Sequence, residues 1–121
     1  MRPRVLIVED EPNIANALSF VLGHEGFDVS VEADGAKALD RATHLRPAAM
    51  VLDVMLPNKS GFDILRDIRA GEMADLPVLM LTAKGQAHDR STAQDLGATE
   101  FMTKPFSNAE VVAAVRRLAG P

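Results

Sequence analysis

The chain of 121 residues contains no cysteine, tryptophan or tyrosine, and five phenylalanines are its only large aromatic residues. Without cysteine, neither a disulfide framework nor a zinc site built on thiolates can form. No apolar run approaches the roughly 18 residues needed to cross a bilayer, so we expect no membrane segment. The apolar run that starts at Val5 is too short for the core of a signal peptide, and we expect a cytoplasmic protein.

The chain also lacks an excess of positive charge. Its 13 basic residues are outnumbered by 17 acidic ones, which gives a formal net charge of -4. A protein that grips nucleic acid needs a basic face to neutralise phosphates, so direct nucleic-acid binding by this chain is not expected. With 47% hydrophobic residues and no linker-like tract, residues 1–121 are predicted to form one domain around one core.

Hydrophobic periodicity alternates between strand and helix along the chain. The runs at 5–8, 48–52 and 78–81 are continuously apolar, which is typical of strands buried on both faces. The segments around Val29 and around Phe101 are alternating or short, as expected of edge strands. Each strand is followed by a segment with helical spacing. The first of these segments carries the apolar stripe Ile14, Ala17, Leu18, Val21 and Leu22, and the next three are predicted helices over 35–45, 62–68 and 86–96. A capping box, Ser107 to Glu110, marks the start of the last helix. This pattern predicts an α/β fold of five βα units, a doubly wound parallel sheet in the flavodoxin-like order 2-1-3-4-5 with helices on both faces.

Polar residues follow the predicted strands where ligands bind in such sheets, at the carboxyl ends. Glu9 and Asp10 follow the first strand, Asp53 the third, Thr82 the fourth and Lys104 the fifth. One acidic residue after a strand is more often a solvated turn residue, but five complementary groups at one rim favour a site. Clustered carboxylates without histidine or cysteine indicate Mg²⁺, with Mn²⁺ as the alternative ion. A cation, a nucleophilic carboxylate, a hydroxyl and an ammonium are the groups that phosphoryl transfer needs.

Four segments carry a family resemblance. They are Ile7-Val8-Glu9-Asp10-Glu11, Leu52-Asp53-Val54-Met55-Leu56-Pro57, Leu81-Thr82-Ala83 and Phe101-Met102-Thr103-Lys104-Pro105-Phe106. In order and position they resemble the receiver domain of bacterial two-component response regulators, and the resemblance covers residues 4 to 118.

The resemblance implies a role for each of these residues. Asp53 would accept a phosphoryl group from a sensor histidine kinase or a histidine phosphotransferase. Asp10, Asp53 and the Met55 backbone carbonyl would ligate Mg²⁺, with Glu9 acting through water. Thr82 and Lys104 would contact phosphoryl oxygens, Ala83 would leave room for the group, and the bond before Pro105 is expected to be cis. The Met55 side chain would either shield the acyl phosphate or simply pack against its neighbours.

The resemblance also implies a conformational switch and a partner. Phe101 is expected to turn from an exposed to a buried position when Thr82 moves, and so to signal to a downstream effector or output domain. The domain would then be a signalling receiver rather than an enzyme, catalysing only its own phosphorylation and dephosphorylation. Arg90 and Glu110 match one charge pair of a known dimer face, whereas Thr99 and Ala114 replace a second pair. A monomer and a phosphorylation-dependent homodimer therefore both stay open.

Other functions remain as alternatives. The chain could be the excised receiver of a larger DNA-binding regulator. A Mg²⁺-dependent aspartyl phosphatase would normally carry a second acid where Met55 stands. A flavodoxin-like cofactor carrier would need a first loop that cradles phosphate, and Glu9, Asp10 and Glu11 would repel it. The three histidines lack metal-ligand spacing and are interpreted as surface residues.

Overall fold

Strands and helices alternate along the chain in the computed structural model, which describes residues 2–83 and 87–120. The strands are β1 (Arg4–Val8), β2 (Asp28–Glu32), β3 (Ala49–Asp53), β4 (Val78–Thr82) and β5 (Glu100–Thr103). The helices are α1 (Pro12–His24), α2 (Ala38–Leu45), α3 (Gly61–Ala70), α4 (Ala87–Asp95) and α5 (Asn108–Ala119), with a 3-10 turn at Gly35–Lys37. No helix within these ranges is long and apolar enough to cross a membrane.

The five strands form one parallel sheet in the predicted order β2-β1-β3-β4-β5. Every residue of β3 and β4 is buried, whereas β2 at one edge and β5 at the other are largely half-buried. This gradient explains the sequence pattern, because central strands covered on both faces need apolar residues at every position.

Two hydrophobic clusters form the core, one on each face of the sheet. Alternate residues of β1, β3 and β4 point to opposite sides: Leu6, Met50 and Met80 face one cluster, and Ile7, Val51 and Leu79 face the other. The first cluster takes in α2 and α3 and the second takes in α1 and α5. Both clusters extend along the strands toward their carboxyl ends, so the sheet fixes the positions of the residues that follow each strand.

Serine side chains cap two helices at their first turn. Ser60 accepts a hydrogen bond of 3.2 Å from the Asp63 backbone N–H at the start of α3. At the start of α5, Ser107 accepts from the Glu110 N–H at 3.1 Å while the Glu110 carboxylate accepts from the Ser107 N–H. The predicted capping box is confirmed, and it satisfies donors that the helix itself cannot pair.

Two sequence-based details differ in the structure, and a third is tested only within the described residues. The buried face of α1 consists of Ala15, Leu18 and Leu22, which are spaced i, i+3 and i+7. The predicted inward residue Ala17 lies outside this face and is exposed. The segment predicted as one helix over 35–45 is divided, since the Asp34 side chain caps a separate 3-10 turn before α2 starts. The helix predicted over 86–96 is observed from Ala87 to Asp95, and its predicted first residue, Gln86, lies outside the described residues.

Candidate functional site

Three carboxylates meet at the carboxyl ends of β1 and β3. Val8 pairs with Leu52 in the parallel register, so the next residues, Glu9 and Asp53, emerge side by side. One carboxylate oxygen from each of Glu9, Asp10 and Asp53 lies within 4.8 Å of the other two. Glu9 is only 1% exposed and Asp53 only 4%, whereas Asp10 is exposed. The cluster is therefore open to solvent on the side of Asp10 and buried on the side of Glu9.

Lys104 provides the positive charge at this cluster. Thr82 and Thr103 are paired between β4 and β5, and the Lys104 backbone N–H donates to the Thr82 carbonyl at 2.8 Å. This extension of the ladder directs the Lys104 side chain across the rim, where its Nζ lies 3.2 Å from Asp53 Oδ1 and 3.4 Å from Glu9 Oε1. The peptide bond between Lys104 and Pro105 is cis.

Burial, together with the neighbouring charges, shifts the pKa values of Glu9 and Lys104. Burial raises the pKa of Glu9 to about 7; a hydrogen bond from the Glu11 N–H opposes the rise and the Asp53 carboxylate adds to it. Burial lowers the pKa of Lys104, but the Asp53 and Glu9 carboxylates outweigh this effect, so its pKa is raised above the usual 10.5. Lys104 is thus a permanent cation at this site, while Glu9 is destabilised as an anion.

Thr82 and Ala83 lie at the end of β4, beside Asp53. The Thr82 side chain is fully buried, and its hydroxyl lies 3.2 Å from Thr103 Oγ1 and 3.4 Å from the Met102 carbonyl. The hydroxyl therefore bonds to β5 rather than to the acidic cluster. Ala83 is half-buried and presents only a methyl group.

Phe101 and Arg90 contact one another at the side of the sheet formed by β5 and α4. The Phe101 ring is half-buried against the first hydrophobic cluster. The Arg90 guanidinium lies over the ring at 5.1 Å from its centroid, a cation–π contact. Arg90 thus has a partner within its own chain, and Glu110 has one in the capping box of α5.

The loop that connects β3 to α3 carries Met55. Its side chain is 71% exposed, so packing against neighbours does not hold it in place. The base of the loop is closed by a 2.9 Å hydrogen bond from the Gly61 N–H to the Val54 carbonyl. A Cβ at Gly61 would lie 2.9 Å from Val54 Cα and closer still to the Asp53 carbonyl, so the loop needs glycine there to return onto β3.

Sequence reasoning missed some residues that shape the site. Thr103, the partner of the Thr82 hydroxyl, was not singled out, although it precedes Lys104. Asp34 and Asn58 were also missed, and they join the turn after β2 to the loop after β3 at 2.9 Å. The only signal was the turn-forming composition of each segment, which does not reveal a contact between residues 24 positions apart.

The donor set fits a hard divalent cation. Carboxylates within 4.8 Å of one another, two of them buried, repel unless a cation joins them, and Lys104 offsets only part of the negative charge. Oxygen donors with open access on one side are typical of Mg²⁺, which keeps several waters when it is bound.

Comparison with known proteins identifies the family. Residues 5–116 match the model of the response regulator receiver domain. The chain belongs to this family. The curated relatives include the DNA-binding response regulator MtrA of Mycolicibacterium smegmatis, 43% identical over 96% of this chain and 50% of the relative. RpaA of Synechocystis, named a DNA-binding dual master transcriptional regulator, is 44% identical over 96% of the chain and 48% of its own length. The chain therefore spans about half the length of these relatives.

A solved receiver domain has the same architecture. The receiver domain of the sensor histidine kinase PA1611 from Pseudomonas aeruginosa superimposes with a TM-score of 0.89 at 31% identity, covering 100% of both chains. That structure is described as having a magnesium ion coordinated in its active-site cleft. The predicted fold and family are thus confirmed, and the present chain contains a receiver domain of this family.

Proposed function

We propose that this receiver domain accepts a phosphoryl group on the Asp53 carboxylate from a phosphohistidine of a sensor histidine kinase or a histidine phosphotransferase. The observation that supports this most is the setting of Asp53, buried between two further carboxylates with Lys104 Nζ at 3.2 Å. An Asp53 oxygen attacks phosphorus, the bond to the donor imidazole nitrogen breaks, and the neutral imidazole leaves with a proton from solvent. The domain then catalyses only its own phosphorylation and dephosphorylation.

The remaining site residues position the reaction. Asp10, Asp53 and the Met55 carbonyl would hold Mg²⁺, and Glu9 would act through water; Mn²⁺ is the alternative ion. When bound, the cation neutralises charge that develops on the transferred group. Lys104 would stabilise a phosphoryl oxygen through its ammonium group, and Ala83 would leave the space that a larger side chain would fill.

Thr82 and Phe101 transmit the modification. The Thr82 hydroxyl leaves Thr103 and Met102 to donate to a phosphoryl oxygen, and Phe101 then moves from half-buried to buried as the space beside it opens. A ligand on Asp53 thereby shifts a two-state equilibrium of the β4–β5 side toward the form that a downstream effector or output domain recognises. The domain would act as a monomer or as a phosphorylation-dependent homodimer, with Arg90 and Glu110 on the candidate dimer face.

The test is incubation with Mg²⁺ and acetyl phosphate. Wild-type protein should gain the mass of one phosphoryl group, and Asp53→Asn should gain none. Asp28→Asn is the matched control, because Asp28 is an exposed carboxylate at the opposite end of its strand. Absence of the added mass in wild type, or its presence in Asp53→Asn, would overturn the proposal. Multiple turnover of a phosphomonoester would instead indicate the aspartyl phosphatase.

The greater length of the relatives favours a second candidate function, one that concerns a longer protein containing this domain. The chain covers 50% of MtrA and 48% of RpaA, both named as DNA-binding proteins. We propose that this receiver can also be the regulatory part of a longer DNA-binding regulator, whose output domain would contact DNA in place of the acidic receiver. The coding sequence that follows residue 121 would decide between this arrangement and a separate effector protein.

A further inference from the structure

The turn after β2 holds the loop that carries Met55. Asp34 Oδ1 accepts a 2.9 Å hydrogen bond from the Asn58 side-chain amide, and the Gly35 N–H donates to the Pro57 carbonyl at 3.2 Å. The same Asp34 oxygen accepts from the Ala36 N–H at 2.9 Å, which fixes the orientation of its carboxylate. The hydrogen bond from Asn58 holds the pKa of Asp34 below its usual value, so Asp34 is a charged acceptor at neutral pH.

Close approach of the two backbones reinforces these bonds. A Cβ at Gly35 would lie 2.9 Å from the Pro57 carbonyl oxygen and closer still to that of Lys59, so only glycine allows the contact. Asn58 has a left-handed φ of 68°, a conformation that asparagine tolerates better than most residues. The loop is thus attached at its tip to Asp34 and Gly35, and at its base by Gly61.

We propose that Asp34 is a positioning residue that sets the affinity of this receiver domain for its divalent cation. The inference rests on the proposed function, since Met55 offers the one backbone ligand and lies between the two attachments of the loop. Asp34 does not touch the acidic cluster. It restricts the loop through Asn58, so the Met55 carbonyl is held in place before the ion arrives and less freedom is lost on binding.

The test is an NMR-detected Mg²⁺ titration of metal-free protein. Asp34→Ala should weaken Mg²⁺ binding about tenfold, the size found when groups that orient metal ligands are removed. Asp34→Asn keeps an oxygen acceptor and should stay within about twofold of wild type, because the hydrogen bond from Asn58 that orients the loop can still form. Asp40→Ala is the matched control: Asp40 is an exposed acid of α2 outside the Asp34–Asn58 contact, so its loss should be equally mild.

Asn58→Gly removes the same hydrogen bond from the other side and keeps the left-handed backbone accessible. It should reproduce the loss of affinity, and the double variant with Asp34→Ala should bind no more weakly than either single variant. Equal affinity of Asp34→Ala and wild type, or an equal loss in Asp34→Asn and Asp34→Ala, would overturn the inference. Acetyl phosphate labelling of wild-type Asp53 tests the proposed function separately, so the two failures are distinguishable.

Discussion

Helices α3 and α4 follow adjacent strands of the sheet, but the core holds them very differently. In α3, four of the ten residues are buried: Gly61, Ile64, Leu65 and Ile68. In α4, Ala93 is the only buried residue among the nine that the structure describes. Since each buried apolar side chain adds to the free energy of unfolding, α3 is anchored along its length and α4 is not.

The turn that follows α4 is held by hydrogen bonds to α4 and to α3. The Ala98 N–H donates to the Ala93 carbonyl at 2.9 Å, and the Arg69 side chain of α3 donates to the Gly97 carbonyl at 2.9 Å. The turn after α4 is therefore tied to α3. The acidic cluster thus follows the buried strands β1 and β3, whereas Thr82 ends β4, the strand that precedes the weakly buried helix α4. This difference suits a site whose occupancy must move one side of the domain and leave the other in place.

The largest expected effect is the loss of stability when a leucine of α3 is truncated, compared with the loss when the leucine that follows α4 is truncated. Leu65→Ala in α3 should lower the free energy of unfolding by about 2–5 kcal/mol, because Leu65 is 0% exposed and leaves a cavity. Leu96→Ala, at the half-buried residue after α4, should cost about 1 kcal/mol. Urea unfolding monitored by circular dichroism measures both. Arg66→Ala on the exposed face of α3 is the control, and equal losses for the two leucines would remove the distinction.

The next effect is the pH dependence of the free energy of unfolding that Glu9 of the acidic cluster is expected to cause. The pKa of Glu9 is about 7 in the folded state, above its ordinary value of 4.5, so the folded state binds more protons between these values. The free energy of unfolding of metal-free protein should therefore fall as pH rises from about 4.5 to about 7, by up to about 3 kcal/mol. Urea unfolding at a series of pH values, in a chelating buffer, measures this slope.

Two variants show whether Glu9 causes that slope. Glu9→Gln should flatten it, because the neutral amide does not titrate. Glu72→Gln should retain it, since the Glu72 side chain is 80% exposed. Mg²⁺ added above pH 7 should restore more stability to wild type than to Glu9→Gln. The same slope in wild type and Glu9→Gln would exclude Glu9 as its source.

The smallest effect tests the contact that α4 makes with β5. Arg90→Ala removes the guanidinium from the Phe101 ring and should lower the free energy of unfolding by about 0.5–1 kcal/mol. The ring signals of Phe101 in NMR spectra should shift, because the cation over the ring face is gone. Arg90→Lys keeps a cation and should shift them less. Unchanged ring signals in Arg90→Ala would show that the contact does not form in solution.

Most of the fold was predictable because its signal is local. The continuous runs of β1, β3 and β4 and the capping box of α5 are readable from neighbouring residues, and the strand order followed from which runs were wholly apolar. The inward face of α1 was wrong at Ala17, because Ala15 and Ala17 are the same residue type and only packing decides which of them is buried. The break before α2 was missed because it depends on the Asp34 side chain, which caps the separate 3-10 turn and is itself bound by Asn58 of another loop.

Prediction of the site was limited in the same way. That Glu9, Asp53 and Lys104 meet follows from parallel strands ending at one edge, so the sequence was sufficient. The roles assigned to individual residues remain predictions. The partner of the Thr82 hydroxyl was not predictable, since it depends on the register between β4 and β5.

The absence of cysteine, the acidic charge and the alternating apolar periods are properties of the chain, and they determined the class of fold and the kind of chemistry. Only the tertiary structure decided how the charges act on one another. Burial of Glu9 beside Asp53 raises its pKa, and the packing of α3 and α4 decides which side of the site is firmly held. The physical reason is the distance along the sequence over which each property is set. Periodicity and strand ends depend on neighbouring residues, whereas desolvation, charge interaction and loop attachment depend on residues brought together from distant parts of the chain.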